Sequence, residues 1–540
     1  MTYKTCLLTA LLPLALLSCS NGDESDIDAN ALSGGVTLTD GGTASSALSV
    51  EFDESDLEET DAVYTDEAAD ADLYEDYVEN AGEFKNVVNI VWDGSSVTCT
   101  QSNDDGDIVI TNSGADVTVK AAKKAQYILS GTCSDGSFKV YSEKKFQVTL
   151  NGLTLTNPTG AAINSQTKKR MYLVVADGTQ NTLQDGSSYT AAVPVCDELG
   201  NATGEYEDEK GVIFSEGQIV VSGGGKININ AVGKNGLVSD QYVRIRPTTH
   251  LTVAAASTAS NALKADSVLI MGGVVNLGTA SADGKGIQSE TDVIISGGRT
   301  TVITTGSGDA SSGGGGGMPG GGMRPGMWGT RATASSSGNA PKGVKAGARI
   351  RVTGGTLRVR CDGSSGEGIE SKYSGSDAAI LVSGGDVLSY AKQDDAVNAT
   401  GMIQVTGGTL KAYATGNDAI DSNYGRAGAV TVGGGTLMGI SSAGSPEEGI
   451  DCDNVSNITV TGGTLVCLGG SQSGGGSLSS ATTQGYYIST GQQSFVAGQT
   501  YTLYSGSTAY LRFTTPLSVS SALTILSAPG MALGTGYSLQ

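Results

Sequence analysis

From Asn86 onward the chain is written in short runs where apolar and polar residues alternate, separated by Gly, Asn and Asp. FKVYSEKKFQVTLNGLTLTNPTGAAINSQ (138–166) and MYLVVADGTQNTLQDGSSY (171–189) are typical. Alternation with a period of two turns one face to a core and the other to solvent, which predicts β-strands of four to six residues. The runs then fall into a longer repeat: a β-run, Gly-Gly, another β-run, and a small polar turn ending in an acid or amide. Its clearest copies are VTGGTLRVRCDGSSGEGIES (352–371), VTGGTLKAYATGNDAIDSN (405–423) and VTGGTLVCLGG (460–470). The Gly-Gly pairs at 354, 384, 407, 434 and 462 are spaced by 30, 23, 27 and 28 residues. A period of one supersecondary unit, rich in β-formers, predicts an all-β solenoid.

The rhythm breaks in four places. Residues 20–84 hold 20 acidic residues and no Lys or Arg, which predicts an extended, disordered tether. Residues 191–210 form a charged loop, and 306–343 are so rich in Gly, Met and Pro that a loop bulging from one coil is expected. After Gly470 a Ser/Gly linker leads into a β-rich tail. Because a solenoid end exposes strand edges, residues 471–540 read as linker and small C-terminal β cap, with 85–470 as the solenoid proper.

Composition narrows the function. A net charge of −23 disfavours nucleic acid as a partner and favours cations. One histidine, His250, leaves little room for zinc or His-based catalysis. The N-terminus, MTYKTCLLTALLPLALLSCS, has an apolar run too short to span a membrane, and Leu16-Leu17-Ser18-Cys19 fits a lipobox. Residues 1–19 are therefore expected to be a lipoprotein signal with Cys19 lipidated, an ordinary cleaved signal being the alternative. The expected place is the outer membrane, exposed at the cell surface, held by the lipid anchor alone and acting as a monomer. Six further cysteines (99, 133, 196, 361, 452 and 467) allow 15 pairings, and none is assigned.

The turns of the repeat carry the candidate chemistry. Aligned after each Gly-Gly strand pair, Glu367, Asp395, Asp418 and Glu448 fall in one column. Glu370, Asn398, Asp421 and Asp451 fall in a second, and Asn423 and Asp453 extend the same edge. Coils of a parallel β-helix lie about 4.8 Å apart. Two unit charges at that distance repel by roughly 3 kcal/mol at an effective dielectric near 20. Calcium, which takes six to eight oxygen ligands, would relieve this; a solvated acidic edge with shifted pKa values is the alternative.

These stretches, with YILSGTCSDG (127–136), VTLNGLTLTNPTGAAI (148–163), EGIESK (367–372), DAIDSN (418–423) and GQTYTLYSG (498–506), resemble a family of extracellular bacterial calcium-binding, carbohydrate-binding proteins. The resemblance implies a right-handed parallel β-helix with a pectate-lyase-like fold. It also implies binding of polysaccharide, cellulosic or acidic, through surfaces dressed with Ca2+. Asp421 stands where the family often has histidine, and Gln288 and Asn398 replace acids, which opens the number of metal sites.

Three functions compete: a surface glycan-binding protein, an adhesin with protein partners, and a calcium-dependent polysaccharide lyase. The first is the expectation, with no catalysis. Arg351, Arg358 and Arg360 are candidate glycan contacts, since guanidinium groups pair bidentately with carboxylates. A lyase would need an Arg or Lys base within hydrogen-bond reach, which these arginines could supply.

Overall fold

The computed structural model describes residues 36–39, 47–49, 83–103, 106–190, 193–196, 202–308, 340–470 and 476–540. Alternation is the local rule that builds it. In Lys226–Ala231 and His250–Ala255 every second residue is buried and its neighbours face out. Each regular coil contributes three strands, as in Lys342–Ala346, Ile350–Val352 and Thr356–Cys361, and the next coil repeats them at Glu367–Ser371, Ala378–Val382 and Asp386–Ala391. Successive coils pair in parallel, strand on equivalent strand. The all-β parallel solenoid with a small C-terminal β unit is thus the fold.

Stacking makes the core a set of columns. Val148, Leu173, Val221, Ile245, Ile270, Ile295, Val352, Val382, Val405, Val432 and Val460 follow one another in register. All are buried in one continuous hydrophobic cluster. Branched aliphatics suit this place because they pack well on a pleated surface. The Gly-Gly pairs mark where backbone stacks on backbone. Gly408 has φ +64°, and a Cβ there would lie 2.4 Å from the Gly385 carbonyl oxygen. The Pro-Thr-Thr copy keeps the fold, because Tyr242–Ile245 and His250–Ala255 pair with the coils on both sides.

Both ends of the stack close with antiparallel strands, which stop further parallel addition. At the start, Asn86–Asp93 pairs with Ser96–Gln101, and the Trp92 indole N–H donates to the Ala115 carbonyl at 2.8 Å. At the far end, Val519–Ser527 runs antiparallel to Thr464–Gly469 and carries Tyr487–Phe495. The C-terminal unit also folds back over the outer face of the last coils. Leu388, Tyr413, Met438, Ile440, Val466 and Leu468 point outward yet are buried, under Phe495, Leu503, Leu511 and Phe513 among others. The tail tyrosines Tyr487, Tyr501 and Tyr510 pack into this same cluster.

Of the acidic stretch 20–84, residues 36–39, 47–49 and 83–84 are described. Val36–Thr39 pairs with Ala47–Ser49 and with Thr508–Thr514 of the C-terminal unit, all antiparallel. The reason lies in the receiving strand, whose edge offers unpaired backbone groups. At the other end of the stretch, Glu83 pairs with Lys124 and Lys145 at 2.6 and 2.8 Å. Cys19 and most of the Gly/Met/Pro segment lie outside the described residues. No helix among the described residues is long and apolar enough to cross a membrane.

Candidate functional site

The acidic turns sit on the sheet that runs from Ile108–Ser113 to Ile420–Ser422. Its register aligns Glu370 with Asn398, Asn398 with Asp421, and Asp421 with Asp451. The other column lies two residues before the inward Ile369, Val397, Ile420 and Ile450. Backbone bonds step along it: Gly368 N–H to Asp395 O, Ala396 N–H to Asp418 O, and Ala419 N–H to Glu448 O, at 3.0–3.2 Å. The structure therefore brings the sequence-derived columns together. Glu367, Glu370, Asp395, Asp418 and Glu448 are buried, Asn398, Asp421 and Asp451 half-buried, and Asn423 and Asp453 exposed.

The two ends of the columns differ in how they are neutralised. Lys342 Nζ lies 2.7 Å from Glu367 Oε1 and 3.8 Å from Glu370 Oε1, while Lys345 Nζ reaches Glu370 Oε2 at 3.5 Å. Lys372 closes on Glu370 as well. Burial would raise the Glu370 carboxyl, but these three ammonium groups hold it below its ordinary value. Beyond that coil no lysine occupies either column. Among the described residues no ion pair reaches Asp394, Asp395, Asp418, Asp421, Asp451 or Asp453.

Amides and backbone hold those carboxylates instead. Asn417 Nδ2 donates to Asp394 Oδ1 and Asp395 Oδ1 at 2.9 and 2.8 Å. Asn398 Nδ2 donates to Asp395 Oδ2 at 2.8 Å and Asp421 Oδ2 at 3.3 Å. Asn423 Nδ2 also reaches Asp421 Oδ2, at 2.9 Å. The Glu448 N–H donates to Asp418, and Asp453, at φ +64°, donates its N–H to Asp451 Oδ1 at 3.0 Å.

Burial together with neighbouring acids raises Asp418, Asp421, Asp395 and Glu367. Asp418 is pushed up to about 8 by burial, then by Asp451, Glu447 and Asp421, against the Glu448 N–H. Asp421 rises to about 7, through burial and then Asp451. Asp395 stands well above its ordinary value because it is buried beside Asp394, Asp421 and Glu367. Glu367 rises to about 7, burial, Glu370 and Asp394 outweighing Lys342.

A metal-like grouping forms at the junction. One carboxylate oxygen from each of Glu367, Asp394 and Asp395 lies within 4.8 Å of the others. Glu367 Oε2 is buried with no hydrogen-bond partner. An all-oxygen carboxylate and amide donor set, with a spare buried oxygen, fits a hard divalent cation such as calcium and no soft metal.

Sequence reasoning missed Asp394, Asn417, Lys342 and Lys345. Asp394 stood beside Asp395 in KQDDAV. The lysines were readable by setting KGIQS (285–289) and KGVKA (342–346) against EGIES (367–371), but the insertion between them obscured the register.

The arginines are placed elsewhere. Arg351 aligns with Ile294 and Leu381 in one sheet. Arg358 and Arg360 lie on another strand and are engaged internally. Arg358 pairs with Asp386 and donates to its carbonyl at 3.0 Å, and Arg360 Nε donates to Asp362 at 2.8 and 2.9 Å. Four cysteines (133, 361, 452 and 467) are buried free thiols, and Cys99 is a half-buried one.

Comparison with known proteins adds a family. Residues 113–387 match the family described as carbohydrate-binding domain-containing protein. A carbohydrate-binding domain-containing protein of Acetivibrio thermocellus is 31% identical over 129 residues, which are 24% of this chain and 42% of that relative. The match thus spans less than half of the relative's length. Among solved structures, a polysaccharide lyase-like protein from C. thermocellum, studied as a gadolinium derivative, aligns over 71% of this chain and 99% of its own. It does so at 19% identity with a TM-score of 0.32.

Proposed function

This chain belongs to the family of carbohydrate-binding domain-containing proteins, and from that premise we propose that it binds polysaccharide through calcium held on its acidic columns. The observation that carries the reading is the set of stacked, buried or half-buried carboxylates Asp394, Asp395, Asp418, Asp421 and Asp451, to which no ion pair from lysine or arginine reaches among the described residues. Calcium bound there would bridge glycan oxygens, carboxylate or hydroxyl, to an otherwise repulsive surface. Glu367, Asp394 and Asp395 would hold one ion, with Asp418, Asp421, Glu448 and Asp451 the donors further along. Asn398, Asn417 and Asn423 keep these carboxylates oriented through their amide groups.

We read the protein as a binder and not a lyase. A lyase base must be free to take a proton beside the metal, whereas Arg358 and Arg360 are engaged by Asp386 and Asp362, and Arg351 lies in a sheet other than the one carrying the acidic columns. The lipobox at Cys19 supports a surface lipoprotein, for which the acidic segment supplies reach. The test is calorimetric titration of the purified protein with polygalacturonate, in millimolar calcium and again in excess EGTA. Heat seen with calcium and lost in EGTA is expected. Equal binding in both would separate glycan from metal, and no binding to this or a cellulosic oligosaccharide in either would sink the reading.

A further inference from the structure

The acidic columns do not begin at a neutral edge. One coil before Glu367 and Glu370, the same two register positions are filled by Lys342 and Lys345. One coil earlier still they are Lys285 and Gln288. Lys342 is 4% exposed, a depth at which lysine is found only when paired. Its ammonium lies on Glu367 Oε1 at 2.7 Å and within 3.8 Å of Glu370 Oε1. The second oxygen of Glu367, which has no hydrogen-bond partner, belongs to the carboxyl group that also meets Asp394 and Asp395. One buried glutamate therefore joins a lysine on one side and an un-neutralised acid cluster on the other.

We propose that Lys342 is a built-in cation that sets where metal binding on this face begins. Its ammonium neutralises the Glu367 coil without a metal, and its positive charge weakens divalent binding at Glu367, Asp394 and Asp395. An ammonium group has three donors and no acceptor, so it can stand in for a cation among carboxylates, and at 4% exposure that of Lys342 is too deep to reach a glycan. Lys342 thus leaves the ion shared by Glu367, Asp394 and Asp395 the weakest, and favours glycan-bridging metal on the coils beyond it. This inference rests on the cation-binding reading above, and goes beyond it by assigning a residue that sets affinity and boundary.

The test uses the whole protein as wild type, Lys342→Met and Lys342→Arg, with calcium titration by calorimetry and melting in EGTA and in calcium. In EGTA the Met variant should melt below wild type, because Glu367 loses its counter-ion and Glu370 one of three. Calcium should raise its melting temperature more than it raises that of wild type. It should also bind at least about tenfold tighter at one site, or with one more ion per chain, while the Arg variant should behave as wild type. Unchanged affinity and stoichiometry in a folded Met variant would overturn the proposal, as would a Met variant that calcium cannot fold. Lys345→Met carries the same test at less risk to the fold, since this side chain is 29% exposed. About threefold tighter calcium binding is expected, and no change counts against the proposal. If wild type binds no calcium while Lys342→Met does, the boundary role stands and the reading of the native columns falls. If wild type binds and Lys342→Met binds equally, only the role of Lys342 falls.

Discussion

The early and late coils of this solenoid share one inside and have different outsides. Inward columns continue unbroken from Val148 to Val460. On the outer face of the third strand, the early coils stack Thr154, Thr182, Asn228, Thr252, Asn276 and Thr301, polar residues that are exposed or half-buried. In register with them the late coils carry Arg358, Leu388, Lys411, Met438 and Val466, and the C-terminal unit packs on the apolar members. The acidic sheet changes in the same direction, from Asn261, Lys285 and Lys342 to Glu367, Asp395, Asp418 and Glu448. Stacking dictates what lies inside every coil, so chemistry can change only on the outside. Here it changes within a single coil.

Substitutions that ignore the boundary should be the most damaging. Ile270→Ala in the early half and Ile403→Ala in the late half each empty a fully buried site, and each should cost about 2–5 kcal/mol in denaturant unfolding. A large difference between them would mean the inside is not shared. Next comes the outer face. Met438→Asp puts a charge under the C-terminal unit and should cost about 3 kcal/mol or more, whereas Thr252→Asp should stay within about 0.5 kcal/mol. Equal effects would mean that the C-terminal unit does not cover this face in solution.

A smaller effect comes from pH and belongs to the late coils. Asp418 and Asp421, at about 8 and 7 in the folded protein, hold protons that the unfolded chain releases near the ordinary aspartate value of 3.8. Their contribution to stability is therefore complete below about pH 4 and is lost as pH rises through 7 to 8. In EGTA the melting temperature should fall between pH 5 and pH 8. Saturating calcium, which binds the ionised form, should flatten or reverse that fall. A melting temperature that rises over this range in EGTA would contradict the buried, un-neutralised cluster.

Much of this was legible in the chain, for a physical reason. EGIES, DAVNA, DAIDS and EGIDC keep one length around an inward Ile or Val, so aligning the apolar residue aligns the acids on both sides. The lysine end was hidden because 309–339 separates Arg299–Thr304 from Lys342–Ala346, although the two coils stack as neighbours. The covered outer face left a trace that was not read: TLMGIS and TLVCLG lack the polar alternation of earlier strands, and strands buried on both faces lose it. Which segment covers them is a long-range choice that no local pattern encodes. The pairing of Val36–Thr39 with the C-terminal unit is of the same kind.

The central claim is that cations bind where the acids lack lysines, and calcium calorimetry on three proteins tests it most directly. These are wild type, Asp395→Asn with Asp418→Asn in the late coils, and Gln288→Ala with Lys264→Gln in the early ones. Wild type and the early-coil variant should bind calcium alike, while the late-coil variant should lose at least about tenfold in affinity or shed an ion. Equal binding by all three, or loss only in the early-coil variant, would contradict the account.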